Sequence, residues 1–182
     1  RPIEHGRFVS RPGIFAWDRI DAASALLAAN FPANLAGTAA DLGAGFGYLS
    51  VELLTRAPGL AGIDLYEAEQ RALEVARRNL APFASRAALD FHWHDVTTGL
   101  SRKYDVIVTN PPFHAQRGID RPDIGRRFIE VAADALKPNG RLWLVANRHL
   151  PYEQALTRGF ANVRIVTQQH GFKIVEAVKG RA

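Results

Sequence analysis

The strongest constraint on the fold lies where an apolar run stops at Asn110-Pro111-Pro112. The run before it contains Val106-Ile107-Val108, a β-branched series typical of a parallel strand that is covered on both faces. Proline removes a backbone donor, and Pro112 restricts Pro111 to extended conformations, so the strand is predicted to end here. Because open α/β sheets bind ligands at the carboxyl ends of their strands, we expect the Asn110 side chain to face a ligand.

Strands and helices alternate along the rest of the chain, which predicts an α/β fold. The predicted strands are Thr38–Leu42, Leu60–Asp64, Ala87–His92, Lys103–Asn110, Arg141–Ala146, Ala161–Thr167 and Phe172–Val178. The predicted helices are Asp18–Asn30, Phe46–Thr55, Glu67–Leu80, Pro122–Leu136 and Pro151–Thr157. We therefore expect a mostly parallel seven-stranded sheet with an antiparallel edge strand and helices on both faces. No repeat or low-complexity linker divides residues 1–182, so the sequence predicts one domain.

Composition narrows the class of protein further. Of 182 residues, 47% are hydrophobic, but no apolar run reaches the ~20 residues of a membrane span, so no membrane partner is predicted. Cys is absent, which excludes disulfides and thiolate metal sites and agrees with a cytoplasmic location. Met is also absent, so Arg1 is not expected to be the natural start of the protein. The net charge of +5 favours a polyanionic partner.

A glycine-rich turn, Asp41-Leu42-Gly43-Ala44-Gly45-Phe46-Gly47, joins the first predicted strand to its helix. Glycines let the backbone approach a ligand, and the helix amino terminus offers free N–H groups to an anion. Taken alone, the pattern also fits a plain tight turn. The dinucleotide fingerprint requires a further glycine where Tyr48 stands, which disfavours a nicotinamide dehydrogenase.

Two carboxylates are candidates for the same site. Asp64 is predicted to end the second strand, where it could accept hydrogen bonds from ribose hydroxyls or cap the next helix. Asp95 follows the third strand and could accept from an adenine amino group or shape a turn. His92 and His94 share a strand face, but no third ligand is evident, so no metal is predicted.

In combination, these segments resemble the class I S-adenosylmethionine-dependent methyltransferases, which have a Rossmann-like fold. They resemble in particular the bacterial small-subunit ribosomal RNA guanine-N2 methyltransferases and their large-subunit relatives. The resemblance covers almost the whole chain and rests on Pro12-Gly13-Ile14-Phe15 with Asp18, Asp41–Gly45, Thr109–His114, Val145–Tyr152 and Gly171-Phe172-Lys173. The Asn-Pro-Pro-Phe element alone indicates only N-methylation of an amine or amide, and the following motifs make it more specific.

The resemblance implies S-adenosyl-L-methionine as cofactor and a guanine of ribosomal RNA, with 16S rRNA or the small ribosomal subunit as partner. The implied cofactor-binding residues are Asp41, Gly43, Ala44, Gly45 and Gly47 for the methionine part, Asp64 for the ribose, Asp95 and Val96 for the adenine, and Asn110. The implied catalytic residues are Asn110, Pro111 and Phe113, and the implied substrate-binding residues are Phe15, Pro112, His114, Arg117 and Tyr152. Such enzymes often carry a second, degenerate domain ahead of the catalytic one, so this chain is expected to be the carboxyl-terminal catalytic part of a longer protein.

The chemistry at Asn110 follows from the nature of an exocyclic amine, whose lone pair is delocalised into the base. Acceptors such as the Asn110 carboxamide oxygen and the Pro111 carbonyl favour a more nucleophilic geometry, and Phe113 offers a stacking face. The alternatives are methylation of adenine or of a protein glutamine amide, and a non-catalytic RNA-binding module with the same fold. The arginines after the loop either contact RNA phosphates or form a solvated helix face; they are Arg117, Arg121, Arg126 and Arg127.

Overall fold

The computed structural model of the chain describes residues 1–4, 6–16, 18–112 and 122–181. Its main element is a seven-stranded sheet, preceded by a short antiparallel pair near the amino end. The strands are β1 (Pro2–Ile3), β2 (Phe8–Val9), β3 (Ala36–Leu42), β4 (Gly59–Glu67), β5 (Ala88–Trp93), β6 (Tyr104–Thr109), β7 (Leu136–Asn147), β8 (Asn162–Gln169) and β9 (Phe172–Val178). The helices are α1 (Ala22–Ala29), α2 (Tyr48–Arg56), α3 (Gln70–Leu80), α4 (Pro122–Ala135) and α5 (Glu153–Gly159), with 3₁₀ turns at Ala81–Phe83 and Val96–Thr98.

The strand order of the large sheet is β5-β4-β3-β6-β7-β9-β8. Neighbours from β5 to β7 pair in parallel, whereas β9 runs antiparallel to both β7 and β8. The mostly parallel seven-stranded sheet is therefore confirmed, and the last two strands form the predicted antiparallel pair at one edge. The order of connection reverses between β3 and β6, which is the position where open α/β sheets bind ligands.

Helices cover both faces of the sheet because successive strand residues point to opposite sides. In β6, Val106 and Val108 pack into the cluster that contains α1, α2 and α3. Ile107, between them, packs into the cluster that contains α4 and α5. The unbroken apolar run in this strand is thus explained by burial on two faces, as the sequence predicted.

The predicted end of the second strand at Asp64 is wrong, because β4 continues to Glu67. Pairing with β5 extends to the register Glu67–Trp93, so the added residues are part of the ladder. Helix α3 consequently starts at Gln70 rather than at Glu67. The carboxylate at the end of β4 is therefore Glu67 and not Asp64.

Two other elements start four or more residues away from their predicted positions. Helix α1 begins at Ala22 rather than Asp18, because Asp21 is the N-cap and its Oδ2 accepts a hydrogen bond from the Ser24 N–H at 3.0 Å. Strand β7 begins at Leu136, where a helix end and a turn were predicted, and it pairs there with β6 across an irregularity.

Within the part of the chain that the structure describes, no helix combines the length and the apolar character needed to cross a membrane.

Candidate active site

A cavity of about 980 Å³ lies at the carboxyl edge of the sheet, with walls from α1, α3 and α4. The pairing of β3 with β6 explains its position, because Leu42 is the register partner of Thr109. The next residues in each strand, Gly43 and Asn110, therefore leave the sheet side by side, and both line the cavity. The structure brings the predicted glycine turn and the predicted Asn-Pro-Pro loop to one site.

The glycine turn is held by hydrogen bonds from its backbone to the end of β4. The N–H groups of Gly43 and Ala44 both donate to the Tyr66 carbonyl, at 2.9 and 3.0 Å. Gly43 and Gly45 line the large cavity, whereas Ala44 lines a smaller adjoining pocket. A Cβ added at Gly45 would meet no atom within 4 Å, so open space lies over this part of the turn.

Gly47 has a structural reason to be glycine. It caps α2 with φ of 94°, and a Cβ there would lie 2.7 Å from Leu80 Cδ2. It lines neither pocket. The position therefore keeps α2 close to α3, and its assignment to cofactor binding rests on the sequence motif alone.

Asp41 lies beneath the turn and is fully buried. Its Oδ2 accepts a hydrogen bond from Ser50 Oγ at 2.7 Å, while Oδ1 has no hydrogen-bond partner among the residues described. Burial raises the pKa of this carboxyl to about 7, although the hydrogen bond from Ser50 opposes the shift. Asp41 supports the turn from below rather than lining the cavity.

The carboxylate at the edge of β4 is Glu67, which the sequence analysis did not identify. Its Oε1 accepts from the Gly45 N–H at 2.8 Å and its Oε2 from the Glu69 N–H at 2.8 Å, and the residue lines the cavity. The available signal was the apolar pattern of Leu65 and Tyr66, which continues the strand beyond Asp64.

The assignment of Asp64 to the ribose is corrected accordingly. Asp64 lies within β4 and does not line the cavity. Its Oδ2 accepts hydrogen bonds from the Tyr104 hydroxyl and, at 3.0 Å, from Arg102 Nη1. The carboxylate is thus engaged in a polar cluster away from the glycine turn.

Asp95 and Val96 line the same cavity as Gly43 and Gly45. Asp95 caps the 3₁₀ turn after β5, and its Oδ1 accepts from the Thr97 N–H at 2.9 Å and from Thr97 Oγ1 at 2.7 Å. These hydrogen bonds hold the pKa of the Asp95 carboxyl below its usual value. The side chain is therefore both a turn residue and a charged acceptor at the cavity wall.

The Asn110 side chain is fixed by contacts with the start of α1. Its Nδ2 donates to Asp21 Oδ2 at 2.9 Å and to Ser24 Oγ at 3.0 Å. Pro111 and Pro112, which follow, line the same cavity. Asp21 also lines it, and neither Asp21 nor Ser24 was identified from the sequence as part of the site.

Phe15 is 76% exposed and lines both the large cavity and the smaller pocket. A left-handed Ala16, with φ of 52°, follows it. The aromatic face of Phe15 is thus accessible from the cavity, and its substrate-binding role stays a prediction. The other predicted site residues Phe113, His114 and Arg117 lie outside the residues that the structure describes.

Tyr152 was predicted to bind substrate, and its position corrects that prediction. The side chain is 0% exposed and packs in the cluster beneath α4, away from the cavity lining. A Cβ at Gly125 would lie 1.7 Å from its hydroxyl oxygen, so the ring sits directly against this helix. Burial raises the Tyr152 pKa to about 12. Tyr152 supports α4 instead of contacting a base.

The sequence predicted no metal at His92 and His94, because no third ligand was evident. His92 Nε2 lies 3.6 Å from Asp64 Oδ2 and 3.7 Å from Asp90 Oδ2, a grouping of metal-ligand type that the sequence did not reveal. Arg102 Nη1 contacts both carboxylates, at 3.0 and 2.7 Å. A guanidinium thus already supplies positive charge to this cluster.

The strand order, the glycine turn after β3 and the cavity beside it define a Rossmann-like methyltransferase domain. The model of one family, the methyltransferase small domain, matches residues 5–176, and the chain belongs to this family.

Two curated relatives come from Alcanivorax borkumensis. Ribosomal RNA small subunit methyltransferase C is 36% identical over 173 residues, which cover 93% of this chain and 51% of the relative. Ribosomal RNA large subunit methyltransferase G is 32% identical over 170 residues, which cover 92% of this chain and 43% of the relative. The chain thus spans about half the length of the curated relatives that it matches.

A solved structure is similar to this chain in fold as well as in sequence. The T. thermophilus 16S rRNA N2 G1207 methyltransferase, in complex with AdoMet and guanosine, superposes with a TM-score of 0.77 at 30% identity. The match covers 93% of this chain and 46% of that one.

Proposed function

We propose that this chain is the catalytic domain of an S-adenosylmethionine-dependent methyltransferase that acts on the exocyclic N2 amine of a guanine in ribosomal RNA. The observation that carries the proposal is one cavity that joins the glycine turn, with Glu67 and Asp95, to Asn110-Pro111-Pro112. Its volume of about 980 Å³ is at the upper end of the ~300–1,000 Å³ range of ligand pockets, which suits two ligands side by side.

The residues at the glycine end fit the cofactor. Open space lies over Gly45, where a Cβ would meet nothing within 4 Å, and the buried Asp41 Oδ1 below the turn has no partner among the residues described. Glu67, in place of Asp64, would accept hydrogen bonds from the ribose hydroxyls. Asp95 and Val96 would contact the adenine. The bound cofactor would supply a methyl group already activated by a sulfonium.

The Asn-Pro-Pro end would hold the target base. The Asn110 carboxamide oxygen and the Pro111 carbonyl would accept the hydrogens of the exocyclic amine, each hydrogen bond being worth ~1–3 kcal/mol when water is excluded. Phe15, exposed at the rim, would contact the base or a neighbouring nucleotide, in a role shared with Phe113. Moving a base out of its stack costs a few kcal/mol, and stacking it on an aromatic side chain recovers ~1–3 kcal/mol.

The chain itself would contribute positioning rather than a strong base. Holding the amine in line with the methyl group can supply ~7–11 kcal/mol of the barrier. The cofactor, held beside Gly45, Glu67 and Asp95, would supply the methyl group to the amine, and the S–C bond would break as the N–C bond forms. The methylated ammonium is acidic and loses its proton to water, so no metal and no dedicated general base are required.

Recognition of the RNA is proposed to involve the basic side chains beside the cavity. Arg127 lines the cavity wall and is held by a hydrogen bond from its Nε to the Thr97 carbonyl at 2.9 Å. Its Nη1 pairs with Glu130 Oε2 at 3.3 Å, and the Arg127 side chain is 41% exposed. RNA affinity should therefore fall with salt.

We further propose that the chain is the catalytic part of a longer, cytoplasmic protein whose other half contributes to substrate selection. The support is that the curated relatives are about twice as long as the matched region. The small ribosomal subunit or its 16S rRNA is the first candidate substrate. The similarity to a large-subunit methyltransferase makes large-subunit rRNA the second candidate.

The test is to incubate the chain with methyl-labelled S-adenosylmethionine and either small subunits, large subunits, free rRNA or a protein-glutamine substrate. RNA is then digested to nucleosides and the modified base is identified by mass. N2-methylguanosine that disappears with Asn110→Ala supports the proposal, and the particle that is labelled decides between the two candidate substrates. Methyladenosine, methylglutamine, or cofactor binding without turnover on every substrate would overturn it.

A further inference from the structure

The Asn110 amide is anchored by two side chains that lie far away in sequence. Asp21 Oδ2 and Ser24 Oγ accept from Asn110 Nδ2 at 2.9 and 3.0 Å, across sequence separations of 89 and 86 residues. The same Asp21 Oδ2 accepts the Ser24 N–H at 3.0 Å as the cap of α1. The helix start and the catalytic loop therefore share one hydrogen-bonded junction.

The chemistry of the junction determines which way the amide points. A carboxylate only accepts hydrogen bonds, so the amide nitrogen of Asn110, and not its oxygen, must face Asp21. A carboxamide has two N–H hydrogens, and the junction offers two acceptors for them. Reversing the amide would place its oxygen against the Asp21 carboxylate and leave both N–H groups without these partners. The orientation is therefore fixed.

With both hydrogens committed, Asn110 can present only its carbonyl oxygen to a substrate. Such an oxygen accepts from an N–H or O–H group and offers no hydrogen to a carbonyl or a ring nitrogen. We propose that Asp21 and Ser24 are positioning residues that make Asn110 an acceptor only, and thereby select nucleophiles that can donate a hydrogen, such as an exocyclic amine, against ring nitrogens that carry none. This inference rests on the proposed function, because it specifies how that site selects an exocyclic amine.

Asp21 also lines the cavity, so it must be distinguished from a general base. A base needs a carboxylate, whereas the junction needs only an oxygen acceptor and a helix cap. Asp21→Asn keeps both of these. In Asp21→Ser, the serine can still cap the helix, but its side chain is too short to reach Asn110. Ser24→Ala removes only the second acceptor.

The first measurement does not depend on turnover. In the ¹⁵N-labelled chain, the side-chain NH₂ of Asn110 is assigned by its loss in Asn110→Asp, and its hydrogen exchange is followed. We expect exchange to become about tenfold faster or more in Asp21→Ser and in Ser24→Ala, because the amide loses an acceptor. Asp18→Ser, the same substitution three residues earlier on an exposed side chain, serves as the matched control. Unchanged exchange in both test variants, with the fold intact, would overturn the proposal.

The second measurement is a reciprocal exchange of the two groups. Asn110→Asp places a carboxylate against the Asp21 carboxylate, and we expect turnover to fall by about 100-fold or more. Adding Asp21→Asn restores a donor–acceptor pair between the two side chains and leaves an acceptor facing the cavity. We therefore expect the turnover of the double variant to be at least about tenfold higher than that of Asn110→Asp alone. A double variant no more active than Asn110→Asp alone would contradict the proposal.

The kinetic pattern separates positioning from base catalysis. We expect Asp21→Ser to lower kcat about 10- to 100-fold and Asp21→Asn to lower it less, with the same pH profile in both. Equal losses in the two variants, together with the loss of an acidic limb from the pH profile, would identify Asp21 as a base and overturn the inference. If no nucleobase is methylated, the proposed function fails, but the exchange measurement still decides the orientation of Asn110.

Discussion

The two ends of the cavity are built in different ways. At the glycine end, backbone N–H groups of Gly43, Ala44 and Gly45 are fixed by the end of β4, through the Tyr66 carbonyl and the Glu67 carboxylate. At the Asn-Pro-Pro end, one side chain is fixed by two other side chains from α1. The first end depends on backbone conformation and close packing, whereas the second depends on hydrogen-bonding side chains.

This difference shows where the site tolerates change. A backbone cradle loses its shape when a Cβ is added, and that loss appears first in stability. A side-chain junction can lose an oxygen with little effect on the fold, and the loss appears in chemistry. The four predictions that follow challenge this division, from the largest expected effect to the smallest.

The largest effect is expected for Asn110→Ala, which removes the acceptor at the side-chain end. We expect kcat to fall about 10²–10³-fold, because a preorganised polar contact at the reacting centre is lost. The free energy of unfolding should change little, since Asn110 is only partly buried. Methyl incorporation and urea unfolding measure the two quantities, and a variant with near-normal turnover would contradict the assigned role.

At the glycine end, Gly47→Ala tests the dependence on backbone shape. The left-handed φ of 94° and the 2.7 Å approach of Leu80 Cδ2 both oppose a side chain. We expect the free energy of unfolding to fall by about 2–4 kcal/mol, from backbone strain plus crowding.

Gly45→Ala is the matched control for this prediction, because its added Cβ meets no atom within 4 Å. It should cost only the backbone strain of about 1–2 kcal/mol, but should weaken cofactor binding by filling the space over the turn. Thermal unfolding and calorimetric titration with S-adenosylmethionine separate the two effects. Equal destabilisation by both variants would contradict this account of Gly47.

Glu67→Gln and Asp64→Asn form a matched pair that tests the corrected assignment of the ribose carboxylate. A charge-assisted hydrogen bond is worth about 1.5–3 kcal/mol, so we expect Glu67→Gln to weaken cofactor affinity by about 10- to 100-fold. Asp64→Asn removes its charge from the Arg102 and Tyr104 cluster and should leave affinity nearly unchanged. Larger weakening by Asp64→Asn than by Glu67→Gln would restore the original assignment.

The smallest effect concerns pH and the buried Asp41. Its pKa is raised from 3.8 to about 7, so between these values the folded chain holds a proton that the unfolded chain has lost. This contribution to stability is fully present below pH 3.8 and is lost as pH rises through about 7. Across one pH unit inside this window, stability should fall by about 1.4 kcal/mol.

Asp41→Asn provides the control, because it keeps an acceptor for Ser50 but does not titrate. Between pH 5.5 and 6.5, urea unfolding of the cofactor-free chain should show wild type losing about 1.4 kcal/mol of stability relative to Asp41→Asn. Parallel pH dependences in wild type and variant would show that Asp41 is ionised in the fold.

The sequence predicted the parts of the site whose signals are local. The apolar run before Asn110 and the glycines after Asp41 each specify a conformation within a few residues, and both were placed correctly. Strand ends are set by pairing with a neighbouring strand. The sequence alone therefore placed the end of β4 at Asp64 instead of at Glu67. Tyr152 was misassigned because nothing in its own segment reveals that α4 covers it.

By itself, the sequence determined an α/β sheet with ligand-binding turns after two of its strands, because strand patterns and glycine turns act over short distances. Only the tertiary structure decided which side chains share the cavity: the register of β3 with β6 sets Gly43 beside Asn110, and the packing of α1 brings Asp21 to the amide. The physical reason is that a hydrogen bond between residues 89 positions apart depends on the folded path of the whole chain.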